Sequence, residues 1–122
     1  PGETEEDMEI LLDYLSRRKF YHLHVFPYSK RQGTVAAKLD NQVPEQVKKE
    51  RVRRIIELGK ETAQEVYCSF VDTIRPVLAE RLSDREGFLT GTADNFLTVE
   101  FPGSVSDIGK IMPVEIRRKN EL

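Results

Sequence analysis

The sequence predicts an α+β chain: a helix–strand pair, a long second helix, then a small antiparallel β-barrel. Three observations predict it. Apolar residues recur at helical spacing twice, over 4–18 and again from Pro44 to Phe70. A β-rich aromatic run over 20–26 follows the first helix. After Phe70 the pattern changes to period two, with turn residues at short intervals. The corresponding divisions are 1–43, 44–68 and 69–122.

Thr4 followed by Asp7 is close to a capping box, and acids crowd the next turn, where the helix dipole favours them. Met8, Leu11, Leu12 and Leu15 then form one apolar stripe. The run 20–26 reads as a strand ended by Pro27, so helix and strand together are half of a repeating α/β unit. Residues 27–43 are turn-rich and contain Gly33.

Pro44 suits the first position of a helix. The stripe Val52, Ile55, Ile56, Gly59, Ala63, Val66, Tyr67 and Phe70 runs to its end. Gly59 inside that stripe costs about 1 kcal/mol relative to alanine, which predicts a close packing contact there. Lys48, Lys49, Arg51, Arg53, Arg54 and Lys60 are assigned to the polar face. A dimerising amphipathic helix is the alternative reading of this segment.

Strands are expected near 71–82, 86–93, 95–101 and 110–118. Turns fall at Ser83-Asp84-Arg85, Asp94-Asn95 and Pro102-Gly103-Ser104. Pro76 and Pro113 within strands predict edges or bulges.

The hydrophobic share of 39% and charged share of 33% fit a folded, soluble class and not a disordered one. No apolar run approaches the roughly 20 residues that a membrane helix needs, so no membrane partner is expected. The polar start Pro1-Gly2-Glu3-Thr4 does not read as a signal peptide, which points to the cytoplasm. It also reads as the interior of a longer protein.

Net charge is −2, but the signs are segregated: residues 1–16 carry six acids and no bases, and 17–60 carry twelve bases against four acids. Such a basic tract suits a polyanion, or simply a solvated helix face.

Several chemistries fail on inspection. His22 and His24 share one face of the expected strand without a third ligand at metal spacing, so packing or hydrogen bonding is their expected role. Ser29 has no His–acid partner set. Cys68, the single cysteine, excludes an intrachain disulfide and multi-cysteine metal sites, and is expected to pack at the end of the stripe.

The distinctive segment is His24-Val25-Phe26-Pro27-Tyr28-Ser29-Lys30-Arg31-Gln32-Gly33-Thr34-Val35-Ala36-Ala37. Two cations, hydroxyls and a glycine after a strand suit phosphate or carboxylate groups, though a plain surface loop has the same composition.

These residues resemble the late part of the radical-SAM barrel of the methylthiotransferases. Phe26-Pro27-Tyr28-Ser29 followed by Arg31-x-Gly33-Thr34-x-Ala36 carries the likeness, and Asp40-Asn41-Gln42-Val43-Pro44 resembles the connection that follows. The stretch from Glu86 to Val99, then Ile108-Gly109-Lys110 and Val114-Glu115-Ile116, resembles their TRAM domain, which implies a small OB-like barrel. The likeness runs nearly end to end. The string from His24 to Ser29 resembles most the branch acting on threonylcarbamoyladenosine beside the tRNA anticodon; sister branches act on isopentenyladenosine and on a ribosomal protein.

The resemblance implies that 1–43 is a helix–strand remnant of the barrel and that Tyr28, Ser29, Arg31 and Thr34 line its mouth, near the site without being catalytic. It implies two [4Fe–4S] clusters and S-adenosylmethionine in a parent enzyme. One cysteine cannot supply the six thiolates, so no catalytic residue, metal or cofactor is assigned to this piece. What it implies here is scaffold and binding of the tRNA anticodon arm. Phe88 and Phe96 are candidates to stack on bases, with Arg75, Lys110 and Arg117 as phosphate contacts and Lys30 and Asn95 beside them. Filling the barrel core is the alternative role for both aromatics. A TRAM module without an enzymatic parent, and self-association through the exposed remnant, are the other readings.

Overall fold

A computed structural model describes residues 1–118; residues 119–122, the end of the expected barrel segment, lie outside the described residues. The chain divides into two compact units, Pro1–Val66 and Tyr67–Leu122.

In the first unit, helix α1 spans Glu5–Arg18. The Thr4 hydroxyl accepts the Asp7 N–H, and the Thr4 N–H donates to the Asp7 carboxylate at 2.8 Å, so the capping box is closed in both directions. That contact, with the backbone N–H of Thr4 foremost, holds the Asp7 carboxyl below its ordinary value. Met8 is fully buried, with Leu12 and Leu15 half-buried one and two turns on, while Leu11 lies exposed beside the stripe. Lys19 ends the helix in the left-handed region.

Residues 20–26 do not form the expected strand. Tyr21, Leu23 and Val25 are half-buried and alternate with exposed His22, His24 and Phe26, so the period of two is real. Among the described residues no strand pairs with this segment. Alternation fixes which side chains face inward; a strand also needs a neighbour's N–H and C=O groups.

Helix α2 spans Glu45–Ser69. The contact expected at Gly59 exists: a Cβ there would lie 3.0 Å from Leu23 Cδ1. One turn on, the buried Thr62 hydroxyl donates to the Phe20 carbonyl at 3.2 Å. Arg51 overturns its assignment to the polar face, being only 8% exposed. Cys68 is exposed instead of packed; at about 100° per residue it sits roughly 140° around the helix from buried Ala63.

In the second unit, β1 (Ile74–Leu82), β2 (Phe88–Ala93), β3 (Thr98–Pro102) and β4 (Ile111–Glu115) form one antiparallel sheet in the order β3-β2-β1-β4. This is the small OB-like β architecture expected. Val77, Ala79, Leu89, Ala93, Phe101 and Val114 make its core. A short 3-10 turn, Val105–Asp107, lies between β3 and β4, directly after the turn expected at Pro102-Gly103-Ser104.

Pro76 and Pro113 face each other across the β1–β4 ladder. At such a pair the ring nitrogens point away from the partner strand. For Pro113 that direction is the sheet edge. For Pro76, on a central strand, it is the end of β2, where its carbonyl accepts the Asp94 N–H at 3.1 Å. The bulge lies further along, between Ala79 and Arg81.

Candidate functional site

The turn at 31–34 is built on Gly33, whose φ of +86° suits the third position of a tight turn. Thr34 N–H closes it on the Arg31 carbonyl, to which the Thr34 hydroxyl also donates at 2.8 Å. The same hydroxyl accepts the Ala37 N–H. Thr34 is therefore spent on the loop's own shape, which holds Ser29, Lys30 and Arg31 exposed. Neither Lys30 nor Arg31 has a carboxylate partner among the described residues.

Tyr28 is separated from these neighbours. Its half-buried side chain lines a cleft of about 140 Å³, together with Met8, Val25, Val52, Lys48 and Arg51. Lys48 Nζ donates to the Tyr28 carbonyl at 2.9 Å. The Tyr28 hydroxyl and Arg51 Nε are buried without a hydrogen-bond partner among the described residues. Lys48 and Arg51 are the site residues that sequence reading missed. The signal was present, since both lie four residues before members of the apolar stripe, Val52 and Ile55.

The segregated charges of the sequence meet one another. Arg51 Nη1 binds the Glu3 carboxylate at 2.8 Å and its carbonyl at 3.1 Å. Arg54 pairs with Glu5 and Glu9 across the two helices, and this contact holds the Glu5 carboxyl below its ordinary value. Arg53 pairs with Glu50 and Glu57 along its own helix. Arg17, Arg51 and Arg54 of the basic tract thus pair with acids of the first sixteen residues. His22 and His24 hydrogen-bond to each other, Nε2 to Nε2 at 3.1 Å.

In the second unit each expected phosphate contact is paired with an acid. Arg75 Nε binds Asp94 at 2.9 Å, Lys110 binds Asp107 at 3.3 Å, and Arg117 binds Glu115 at 2.8 Å. The two candidate aromatics are in opposite states. Phe88 is half-buried with the Arg85 guanidinium 3.7 Å over its ring, whereas Phe96 is 74% exposed. Asn95 accepts the Leu97 N–H, and its Nδ2 is buried without a partner among the described residues.

No family model matches the chain. It is 40% identical over 119 residues to the threonylcarbamoyladenosine tRNA methylthiotransferase MtaB of Bacillus subtilis, an overlap of 95% of this chain and 26% of that protein. The chain is homologous to tRNA methylthiotransferases. It is also 41% identical over 117 residues to the tRNA-2-methylthio-N(6)-dimethylallyladenosine synthase of Acetivibrio thermocellus, covering 95% of this chain and 24% of that protein. The Aquifex aeolicus enzyme of the same name is 37% identical over 116 residues.

Identities of 40% and 41% do not separate the two methylthiotransferase types. The chain spans about a quarter of the length of these relatives. The iron–sulfur clusters that the resemblance implies do not fit the residues present. One cysteine cannot hold a cluster, and the described residues gather no group of three or more His, Cys, Asp or Glu side chains suited to a metal. Among the described residues no helix is long and apolar enough to cross a membrane.

Proposed function

We propose that this chain is the C-terminal part of a cytoplasmic radical-SAM methylthiotransferase that modifies threonylcarbamoyladenosine beside the tRNA anticodon. In this reading its second unit is the TRAM domain. The observation that carries the methylthiotransferase reading is the 40% identity over 95% of the chain to an enzyme of that name, and the likeness of the string from His24 to Ser29 supports this branch. The cluster thiolates and S-adenosylmethionine chemistry belong to the remainder of the parent, and these residues bind RNA and support the barrel without turning over. The 41% identity to a dimethylallyladenosine synthase favours a second reading, in which the modified base is isopentenyladenosine.

Electrostatic attraction in this reading comes from the exposed loop cations Lys30, Arg31 and Lys38, which carry no ion pair among the described residues. Three phosphate contacts predict a log–log salt slope of roughly −2 to −3. Fluorescence anisotropy with an anticodon stem–loop RNA, titrated from low to physiological salt, tests this. Absence of binding at low salt, or affinity indifferent to salt, overturns it. A CxxxCxxC string upstream in the parent gene separates the enzyme from a TRAM module without one. Light scattering tests self-association through unit 1.

A further inference from the structure

The loop between β2 and β3 contains Asp94, Asn95 and Phe96. Ala93 carbonyl accepts the Phe96 N–H at 2.9 Å, and Ala93 N–H donates to the Leu97 carbonyl at 2.9 Å. This is the three-residue hairpin loop whose last residue lies in the left-handed region, a place normally filled by glycine. Here it is Phe96, at φ +64°. A bulky side chain in that conformation is an outlier that the surrounding structure must impose.

Burial does not repay the strain. The ring is 74% exposed and has no aromatic or cationic partner among the described residues. The loop beneath it is held firmly: Arg75 binds Asp94, its guanidinium lies 5.1 Å from the Phe70 ring centroid, and Asp94 N–H donates to Pro76. The ring is therefore presented on a pre-organised support, which lowers the ordering cost of whatever it meets.

We propose that Phe96 is the stacking platform for one unpaired base of the RNA that this chain binds, an inference that rests on the tRNA reading above. A planar base fits a single exposed ring preceded by Asp94 and Asn95 and followed by Leu97, which packs against the core, since base–aromatic stacking needs one open face. A docked protein would instead require a contiguous apolar patch around the ring. Phe88 does not serve, because Arg85 already occupies its face.

The test uses the whole chain and an anticodon stem–loop RNA with 2-aminopurine at successive loop positions. Phe96→Asn suits the left-handed backbone and removes the ring, so its thermal midpoint should equal or exceed that of the unsubstituted chain. Its affinity should fall about tenfold, the size of one base–aromatic stack. The salt slope should stay unchanged, because no charge is lost. Phe96→Trp should bind at least as tightly as the original. One 2-aminopurine position should be quenched by the chain and recover with Phe96→Asn. If the unsubstituted chain binds and Phe96→Asn binds equally well, the platform assignment is overturned alone. If the unsubstituted chain fails to bind at low salt, the tRNA reading falls and this inference with it.

Discussion

Replacing Gly91 with alanine should unfold the sheet of the second unit well before any other single-methyl change in it. Gly91 is buried in β2, opposite Ala79 of β1 and Val99 of β3. An added Cβ would stand 2.2 Å from the Leu78 carbonyl oxygen and 2.9 Å from Val77 Cγ1. A relaxed carbon–oxygen contact is about 3.3 Å or more, so the overlap with main chain is on the order of 1 Å. No rotamer change relieves it, because the obstacle is backbone next to the bulge between Ala79 and Arg81.

Overpacking of this kind lies at the upper end of the usual range, about 3 kcal/mol. At roughly 4–8 °C per kcal/mol for a small domain, the midpoint should fall by about 15 °C. Scanning calorimetry with amide exchange on Ala79 and Thr92 reads it. Gly87→Ala is the control: its Cβ meets nothing within 4 Å, so only the φ of +78° opposes it, at about 1 kcal/mol. A Gly91→Ala midpoint within about 3 °C of the original, or a smaller drop than that of Gly87→Ala, refutes the reasoning.

Arg51→Ala should cost about 2 kcal/mol in urea unfolding of the first unit, by removing the hydrogen bonds to Glu3. Arg51→Lys should recover little of it, since one ammonium does not reproduce the guanidinium fork. The Asp7 and Asp107 carboxyls are held below their ordinary values chiefly by the backbone N–H groups of Thr4 and Ser104. Their contribution is present above the unfolded carboxyl value of about 4 and disappears as pH falls through the lower folded values. The start of α1 should therefore lose exchange protection only below about pH 4, and Asp7→Asn should flatten that dependence. Gly59→Ala should be nearly neutral, because a helix gain of about 1 kcal/mol offsets a 3.0 Å contact with the movable Leu23 side chain; Gly59→Leu should destabilise measurably.

Local pattern by itself determined both helices, the capping box at Thr4, the packing contact at Gly59 and the alternating strands of the sheet. Each of these depends on residues a few positions apart, whose spacing is written directly in the chain. The homology to tRNA methylthiotransferases was legible as a resemblance, in the string from Phe26 to Ala36 and in the stretch from Glu86 to Val99.

Tertiary structure decided the rest. It denied residues 20–26 a ladder, because pairing requires another strand's backbone. It turned the free-looking cations Arg51, Arg54 and Arg75 into members of ion pairs with residues far along the chain. It separated Phe88 from Phe96, which the same strand pattern leaves equivalent. In each case the outcome depends on which distant group fills the space beside a side chain, and periodicity carries no record of that.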